Sequence, residues 1–553
     1  MERGTGAAIE QQAWRGGLEP CGEHDYTLSP SNPAHVSGRI PEALQGTLYR
    51  CGPGRIRVGG SKFGHWFDGD GMVYALHLDG PTGTARFVCK WVRTSALEQR
   101  GGPEATAGGQ LKNVGLPANP VNTSIIHFAG KLLALCEGGP PFLLDALSLS
   151  TLGPYSFPNL PLPFFSAHPK LDPSTGELYN FGSVLFGMQP FAIAADGQHT
   201  RMGALQGSPE VALVHDCAMS QRFFVFTIPP YAASAGDVAQ MLAGQQSLGS
   251  RFTYDESKPT WVVVVGKDSL SVEVQLDVRP PFSNYHFCNA YEEGDKLHVL
   301  LTVLDGPRDG LEAVFKDMYG ESWQRRNQCS VWELVFDTNT WDLLSRRRAM
   351  HSEPGTRGPV LGMEFAVVNP AYTSRKSRYL YVLGSMPERE REERWMQGGL
   401  GDGVWYGGPG VQGGEDGEGE EGVEGEEEEE GGEGEGWEEG GEKMAEYGYL
   451  NCIQKYDLKT KQVTTHVTPP GCYVNECSFI PDSDSDNEDA SKEDDGYLAA
   501  FVYDASRHRS HVVVLDARDV AAPPVAVMHL QSHVPYHFHG TWAGKAAVNR
   551  DDL

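Results

Sequence analysis

The stretch Val534-Pro535-Tyr536-His537-Phe538-His539-Gly540-Thr541-Trp542 lies close to the end of the 553-residue chain. In an extended conformation it places His537 and His539 on one face, because side chains along a strand alternate with period two. A single histidine near a terminus is most often solvated or hydrogen bonded. Four imidazoles that a fold gathers from distant parts of a chain can instead bind a metal ion. Three further histidines occupy short segments far upstream: His168, His215 and His286.

The rest of the chain consists largely of short apolar runs separated by turn residues. The runs are rich in Val, Tyr, Phe and Leu, and clusters of Gly, Pro, Asp or Asn break them, which is typical of β-strands. Helical periodicity appears at residues 238–246 and 310–325, and Gly52-Pro53-Gly54 reads as a turn. The sequence therefore predicts an all-β fold. The predicted strands include residues 72–78, 85–92, 131–135, 261–265, 296–303, 379–383, 497–503 and 511–515.

An all-β chain of this length must protect its strand edges, and a β-propeller does so by radial repetition. The sequence has no blade-length repeat of the WD40 or kelch type. Periodicity alone therefore does not predict a propeller.

Two acidic tracts, at about residues 407–442 and 482–496, interrupt the chain. Their self-repulsion and lack of apolar residues predict disordered, solvated insertions, with binding of Ca²⁺ or of a basic partner as the alternative. Residues 1–40 are polar and rich in Gly and Pro. We expect them to form an N-terminal arm packed on the outside of a single domain that spans residues 41–553.

The tracts carry most of the formal net charge of −29. Residues 415–442 contain 16 acidic residues and no basic one, and residues 482–495 have a net charge of −7. The remaining body is only mildly acidic and has no basic stripe. Nucleic acid is therefore not an expected partner.

The ten cysteines are scattered without a C-x-x-C pair, which excludes zinc-finger and thioredoxin-like classes. We expect buried free thiols in a reducing compartment. There is no run of about 18 apolar residues that could span a membrane, and no secretory signal or clear transit peptide. These features predict a protein of the cytoplasm or plastid stroma that is not secreted.

Nine segments identify the sequence as similar to the carotenoid cleavage oxygenase family, which includes stilbene-cleaving dioxygenases and the retinoid isomerohydrolase of the eye. They occur in the order of the family and extend over about residues 25–545. They are Leu48-Tyr49-Arg50-Cys51-Gly52-Pro53, His65-Trp66-Phe67-Asp68-Gly69-Asp70-Gly71-Met72, Asn122-Thr123-Ser124, Leu133-Ala134-Leu135-Cys136-Glu137-Gly138-Gly139, Ala167-His168-Pro169-Lys170-Leu171-Asp172-Pro173, Val214-His215-Asp216, Asn289-Ala290-Tyr291-Glu292, Glu364-Phe365 and Pro535-Tyr536-His537-Phe538-His539-Gly540.

The resemblance implies a seven-bladed β-propeller with a dome of loops and short helices over a metal site on its axis. In the family the metal is Fe(II), and four histidines bind it. Four neutral imidazoles leave positions of an octahedral metal open for O₂. The ligands carried over to this sequence are His168, His215, His286 and His539.

The family also supplies three glutamates that anchor the ligand imidazoles through their second ring nitrogen. They correspond to Glu137, Glu364 and Glu476, which are expected to support His215, His286 and His539 in that order. His168 is left without a carboxylate. His537 departs from the family pattern, which has Gly there, and we expect it to have no catalytic role; the same holds for His65, His127 and His533.

The implied reaction is oxidative cleavage of a conjugated carbon–carbon double bond by O₂, which gives two aldehyde or ketone products. An apolar tunnel would select the bond. Stilbene-cleaving members carry Lys directly before the first supporting glutamate, whereas this sequence has Cys136. A carotenoid or apocarotenoid is therefore the expected substrate, and its uptake would involve peripheral contact with a membrane. The alternatives are a stilbenoid-cleaving dioxygenase and a non-enzymatic propeller that serves as an interaction module.

Overall fold

The structure is a computed structural model. It describes residues 13–105, 119–160, 165–184, 187–204, 206–207, 214–243, 245, 252–304, 329–350, 362–397, 449–482 and 492–545.

Among the described residues, seven antiparallel sheets have four or five strands, and each is one blade of a propeller. From the inner to the outer edge, blade 1 contains Gly540–Gly544, Gln45–Arg55, Asp70–Asp79, Thr84–Trp91 and His24–Leu28. Blade 2 contains Ser124–Phe128, Lys131–Leu135, Phe142–Leu144 and Thr151–Pro154. Blade 3 contains Lys170–Leu171, Leu178–Val184, Gly187–Ile193, Thr200–Met202 and Gln206–Gly207.

The remaining blades follow in chain order. Blade 4 contains Ala218–Met219, Phe223–Ile228, Thr260–Gly266 and Val272–Val278. Blade 5 contains Asn284–Glu293, Lys296–Leu304, Cys329–Asp337 and Leu343–Arg348, and blade 6 contains Glu364–Val367, Tyr379–Gly384, Cys452–Asp457 and Val463–Val467. Blade 7 contains Cys472–Pro481, Gly496–Asp504, Arg509–Asp516, Ala526–His529 and Val36–Gly38. The predicted all-β, seven-bladed propeller is confirmed.

Both ends of the chain close the ring. Gly540–Gly544, from the C-terminal region, is the inner strand of blade 1 and pairs with Gln45–Arg55. Val36–Gly38, from the N-terminal region, is the outermost strand of blade 7 and pairs with Ala526–His529. The stretch from Val534 to Trp542 therefore joins blade 7 to blade 1, and this explains why the fold depends on it.

An apolar core fills each interface between neighbouring blades. In blade 1, for example, Met72 and Tyr74 face blade 7, whereas Val73 and Ala75 face blade 2. The central strands of the blades are thus apolar on both faces, as expected for strands buried on both sides. This arrangement explains why the sequence shows continuous apolar runs and little alternation. Every strand predicted above coincides with or lies within an observed strand, except that the one at 85–92 extends one residue past Thr84–Trp91.

Three α-helices are described: Ser95–Gln99, Ala235–Leu242 and Glu388–Gln397. They lie in connections at the propeller face where the inner strands begin, because antiparallel strands alternate in direction. Ser234 accepts a hydrogen bond from the peptide N–H of Asp237 and so caps the second helix. The helices form the described part of the predicted dome. The predicted helix at 238–246 begins earlier than expected, and the one at 310–325 lies outside the described residues.

The described part of the N-terminal segment contributes outer strands to two blades. His24–Leu28 pairs with Thr84–Trp91 as the outer strand of blade 1. Short edge strands lack the apolar pattern that marks the inner ones, so composition alone did not identify them.

The acidic tract at 407–442 lies outside the described residues, as do residues 483–491. The end of the second tract is built into the fold. Glu493 is buried, its carboxylate accepts hydrogen bonds from the peptide N–H groups of Arg378 and Tyr379, and the strand Gly496–Asp504 follows. These hydrogen bonds satisfy the buried carboxylate of Glu493 and so offset the free-energy cost of burying it.

Candidate metal centre

All seven blades contribute a predicted site residue to the propeller axis. The histidines come from blades 1, 3, 4 and 5, each in or just before the inner strand. The carboxylates come from blades 2, 6 and 7. The site residues therefore come together only when the seven blades close into a ring. In the order of the blades from 1 to 7, the residues are His539, Glu137, His168, His215, His286, Glu364 and Glu476.

The four predicted histidines converge on one point. One ring nitrogen from each lies within 4.8 Å of the corresponding nitrogen of the others. The Nε2 atoms of His168 and His215 are 3.0 Å apart, and those of His215 and His286 are 3.3 Å apart. Metal–imidazole bonds are about 2.1 Å long, so adjacent ligands of an octahedral ion lie about 3 Å apart and opposite ligands about 4.2 Å apart. The separations therefore fit a single metal ion.

Each of the three predicted glutamates lies beside its expected histidine. Nδ1 of His215 is 2.9 Å from Oε1 of Glu137, and Nδ1 of His539 is 2.8 Å from Oε1 of Glu476. Nδ1 of His286 is 2.5 Å from Oε2 of Glu364. The contacts of Glu364 and Glu476 are hydrogen bonds, which fix the proton on Nδ1 and leave the Nε2 lone pair free for a metal.

His168 is different, since no described carboxylate lies within hydrogen-bonding distance of its Nδ1. The Oδ1 atom of Asp216 is 3.9 Å away. That oxygen is engaged by the Nζ of Lys170 at 2.8 Å and the peptide N–H of Cys217 at 2.7 Å. Asp216 also accepts a hydrogen bond from the peptide N–H of Phe287. The Lys170–Asp216 pair therefore ties together the segments that carry three of the histidines.

The electrostatic environment favours neutral imidazoles at His168 and His539 and ionised carboxylates at Glu364 and Glu476, whereas at His286 the adjacent Glu364 outweighs burial and raises the imidazole pKa. Burial, together with the neighbouring imidazoles, holds the pKa of His168 well below its usual range. Burial also lowers the pKa of His539. Although burial raises the pKa of Glu364 and Glu476, their histidine partners outweigh this effect and leave both pKa values below the ordinary one. Neutral imidazole is the form that binds metals.

Phe365 covers the ligand set on one side. Its ring centroid lies 5.5 Å from that of His286 and 5.3 Å from that of His539. Phe365 adopts φ = 55°, and the pairing of its strand is irregular between Glu364 and Val367. A left-handed non-glycine residue costs about 1 kcal/mol or more. The irregularity directs Glu364 towards the axis while the peptide N–H of Phe365 donates to its carboxylate.

Two contacts of the carboxylates were not anticipated from the sequence. The hydroxyl of Thr302 donates to Oε1 of Glu364 at 2.9 Å, and Nη1 of Arg50 donates to Oε2 of Glu476 at 2.6 Å. Arg50 is fully buried. A charged residue inside the run Leu48-Tyr49-Arg50-Cys51 is the signal that could have revealed it, because an unpaired buried charge is costly.

His537 does not lie with the four histidines. Its ring is buried between Tyr74 of blade 1 and Phe501 of blade 7, with centroids 5.7 and 5.1 Å away. A Cβ on Gly52 would lie 2.3 Å from the Cα of His537, so only glycine allows this close approach. His537 thus fills the interface that closes the ring.

A cavity of about 270 Å³ borders the site along the axis. Residues in or next to the inner strands of blades 1, 2, 3 and 7 form its wall, which mixes polar and apolar side chains. The apolar tunnel for substrate remains a prediction. The lining includes Ser124, Ile126, His127, His168, Lys170 and His539.

The ten cysteines are all free thiols, and nine of them are buried. Among the described residues, no helix is both long and apolar enough to cross a membrane.

Comparison with known proteins agrees with this geometry. The family model described as "RPE65: Retinal pigment epithelial membrane protein" matches residues 23–404 and 432–544. The apocarotenoid-15,15'-oxygenase of Synechocystis sp. is 27% identical and aligns over 96% of each chain. The isoeugenol monooxygenase of Pseudomonas putida is 24% identical over 92% of this chain and 94% of its own. The resveratrol cleavage oxygenase 1 of Chaetomium globosum is 25% identical over 92% and 84%.

Solved structures share the fold. A variant of the Synechocystis apocarotenoid oxygenase superposes with a TM-score of 0.73 at 25% identity, over 97% of this chain and 99% of its own. The cobalt-substituted form of that oxygenase gives the same TM-score at 24% identity. The family predicted from the nine segments is thereby confirmed: this chain belongs to the RPE65/carotenoid cleavage oxygenase family.

Proposed function

We propose that the protein is a non-haem Fe(II) dioxygenase that cleaves a conjugated carbon–carbon double bond of a carotenoid or apocarotenoid. The observation that carries the proposal is the convergence of four imidazole nitrogens within 4.8 Å of one another. In the reaction the C=C bond breaks, and each carbon gains one atom of O₂ as a carbonyl. The atoms and electrons balance without an external reductant.

The choice of iron follows from the donor set. Four neutral imidazoles suit several divalent metals, but Zn²⁺ has no redox chemistry. Iron in this site would supply the one-electron chemistry that O₂ requires to react with a closed-shell double bond. His168, His215, His286 and His539 would hold it.

The residues around the metal would orient the imidazole ligands and shield the site, and they would not need to transfer protons. Glu137, Glu364 and Glu476 hold the Nδ1–H groups of their imidazoles and so aim the Nε2 atoms at one point. Phe365 places an apolar ring against two of the ligands. Since the reaction has no obligatory proton transfer, a separate acid–base dyad is not needed.

The substrate class rests on the residue before Glu137. Cys136 is buried, and burial raises the pKa of its thiol to about 11, so it is neutral at physiological pH. A neutral side chain offers no charge to hold a phenol, which favours a polyene. Relatives named for apocarotenoid and carotenoid cleavage support this choice. Relatives named for isoeugenol and resveratrol support the phenolic alternative.

The proposed setting is the cytoplasm or the plastid stroma, with peripheral contact to a membrane for uptake of an apolar substrate and no nucleic acid partner. Free, buried cysteines are consistent with a reducing compartment.

One assay separates the candidates. Purified protein is loaded anaerobically with Fe(II) and exposed to O₂ with β-carotene, an apocarotenal, resveratrol or isoeugenol, and the products are identified by mass spectrometry. The proposal predicts two carbonyl products from a carotenoid or apocarotenal and none from the phenols. Cleavage of only the phenols would replace it with the stilbenoid alternative. If the protein bound neither iron nor any of these substrates, the non-enzymatic interaction module would be the better interpretation.

A further inference from the structure

The three carboxylates around the histidines are not equivalent. Glu364 accepts hydrogen bonds from the neutral donors Thr302 and Phe365, in addition to His286. Glu476 instead forms an ion pair with Arg50, with Nη1 and Oε2 2.6 Å apart. Among the described residues, Arg50 is the one cationic side chain that contacts any of the three supporting glutamates.

Arg50 lies in Gln45–Arg55, the strand that pairs with the ring-closing strand Gly540–Gly544. Its side chain is fully buried, and Nη2 lies 3.5 Å from the carbonyl oxygen of Ala499 in blade 7. A Cβ on Gly540, the residue after His539, would lie 2.5 Å from the Cδ of Arg50. The peptide N–H of Gly540 also donates to Oε2 of Glu476. The Arg50 side chain therefore packs against the segment that carries His539. Its guanidinium donates to Oε2 of Glu476, the oxygen that also accepts from the Gly540 peptide N–H.

The charges at the site match a divalent ion. Glu137, Glu364 and Glu476 each contribute one negative charge, and Arg50 contributes one positive charge. The Lys170–Asp216 pair is neutral as a unit. The set is thus left with two uncompensated negative charges, which is the number that a divalent cation neutralises. Because burial makes uncompensated charge costly, this match affects both metal affinity and oxidation state.

We propose that Arg50 is a positioning residue that sets the net charge around the metal to the value a divalent ion neutralises, and so favours Fe(II) over Fe(III). The inference rests on the metal centre proposed above. A purely structural role for Arg50, in which it only steadies Glu476, makes a different prediction for the double variant below.

Three variants change the charge in known steps. Glu476→Gln keeps an oxygen that can accept from His539 but leaves one uncompensated negative charge. Arg50→Met leaves three. The double variant Arg50→Met/Glu476→Gln returns the site to two, because Glu137 and Glu364 remain.

The first test is the affinity for Co(II), a divalent ion that does not oxidise in air, measured by competition with a chelator. Glu476→Gln should weaken binding about 10- to 100-fold, the usual cost of losing a carboxylate behind a ligand. The double variant should bind at least about tenfold more tightly than Glu476→Gln. A double variant that binds as weakly as Glu476→Gln, or more weakly, overturns the inference.

The second test uses Arg50→Met alone, loaded with Fe(II) and exposed to air without substrate. High-spin Fe(III), followed by electron paramagnetic resonance, should accumulate faster than in the wild-type protein. Equal or slower oxidation contradicts the inference. This readout remains available if the double variant does not fold.

Lys267→Met is the matched control. Lys267 and Asp172 form a buried ion pair at 2.6 Å that contacts none of the four histidines or three glutamates. Breaking it should lower stability but leave Co(II) affinity and the oxidation rate within about twofold of wild type. If the wild-type protein itself binds no Co(II), the metal centre fails; if it binds but the variants fall in another order, only the role of Arg50 fails.

Discussion

The propeller axis and the interfaces between blades are both buried, but their chemistry is opposite. At the interface of blades 3 and 4, Phe181, Phe226 and Val263 pack as apolar surface. At the axis, imidazoles face carboxylates, with Arg50 beneath them. Apolar contacts stabilise the fold without a metal, whereas buried charges are costly until a cation neutralises them. Stability and metal chemistry therefore reside in separate parts of the molecule, and substitutions can test that separation.

The largest expected effect comes from removing one imidazole at the axis. His215→Ala should lower cleavage at least about 10,000-fold, equivalent to about 5 kcal/mol, because a ligand is lost. The metal-free protein should change in unfolding free energy by less than about 1 kcal/mol, since the His215 side chain is 23% exposed. Activity assays and denaturant titration check both parts. His127→Ala, on the cavity wall but outside the ligand set, should retain activity.

The complementary substitution lies in a blade interface. Phe226→Ala should destabilise the protein by about 3–5 kcal/mol, because it empties a fully buried site. Co(II) affinity of the folded fraction should stay within about twofold. Urea titration and chelator competition measure the two quantities. Leu152→Ala, on the outer strand of blade 2 with Leu152 56% exposed, should cost under about 0.5 kcal/mol. A large loss of metal affinity in Phe226→Ala would show that the two regions are coupled.

Metal addition should stabilise the fold through the axis alone. At a free concentration 100 times the dissociation constant, Co(II) should add about 2.7 kcal/mol to the unfolding free energy of the wild-type protein. Thermal unfolding with and without Co(II) measures this. The stabilisation should vanish in His215→Ala but persist in Phe226→Ala. Equal stabilisation of the two variants would place the bound metal elsewhere.

The smallest effect concerns a histidine buried away from the axis. Burial lowers the pKa of His466, in the outer strand of blade 6, to about 4. An unfolded histidine binds a proton near pH 6.5, whereas the buried His466 stays neutral down to about pH 4. The contribution of neutral His466 to the unfolding free energy is therefore fully present above pH 6.5 and is lost as the pH falls towards 4. Between pH 7.5 and 5 the loss is about 2 kcal/mol. Urea titrations at pH 7.5 and pH 5 should show a smaller loss of unfolding free energy for His466→Gln than for wild type. Equal losses in the two proteins would show that the pKa of His466 is not lowered by burial.

The sequence predicted the parts of this architecture that depend on local pattern or on motifs. Apolar runs marked strands in the middle of the blades, and the segments around the histidines identified the family. Tertiary contacts decided the rest. Gly52-Pro53-Gly54 reads as a turn, yet it lies inside the strand Gln45–Arg55, because glycine at position 52 admits the backbone of His537.

Contacts between distant residues were equally beyond the sequence pattern. The pairing of Arg50 with Glu476 joins residues 426 positions apart, and no local rule links them. The placement of His537 shows the same limit. Period-two alternation predicted that it shares a face with His539, but closure of blade 1 against blade 7 put its ring in an apolar interface.

The most direct test of the metal centre is X-ray absorption at the iron edge of protein loaded anaerobically with Fe(II), together with iron analysis. We predict one iron per chain, with four imidazole nitrogens at about 2.1 Å. In His215→Ala the imidazole count should fall to three or the iron should be lost. An active wild-type preparation without iron, or one whose iron has fewer than four imidazole ligands, would contradict the proposed function.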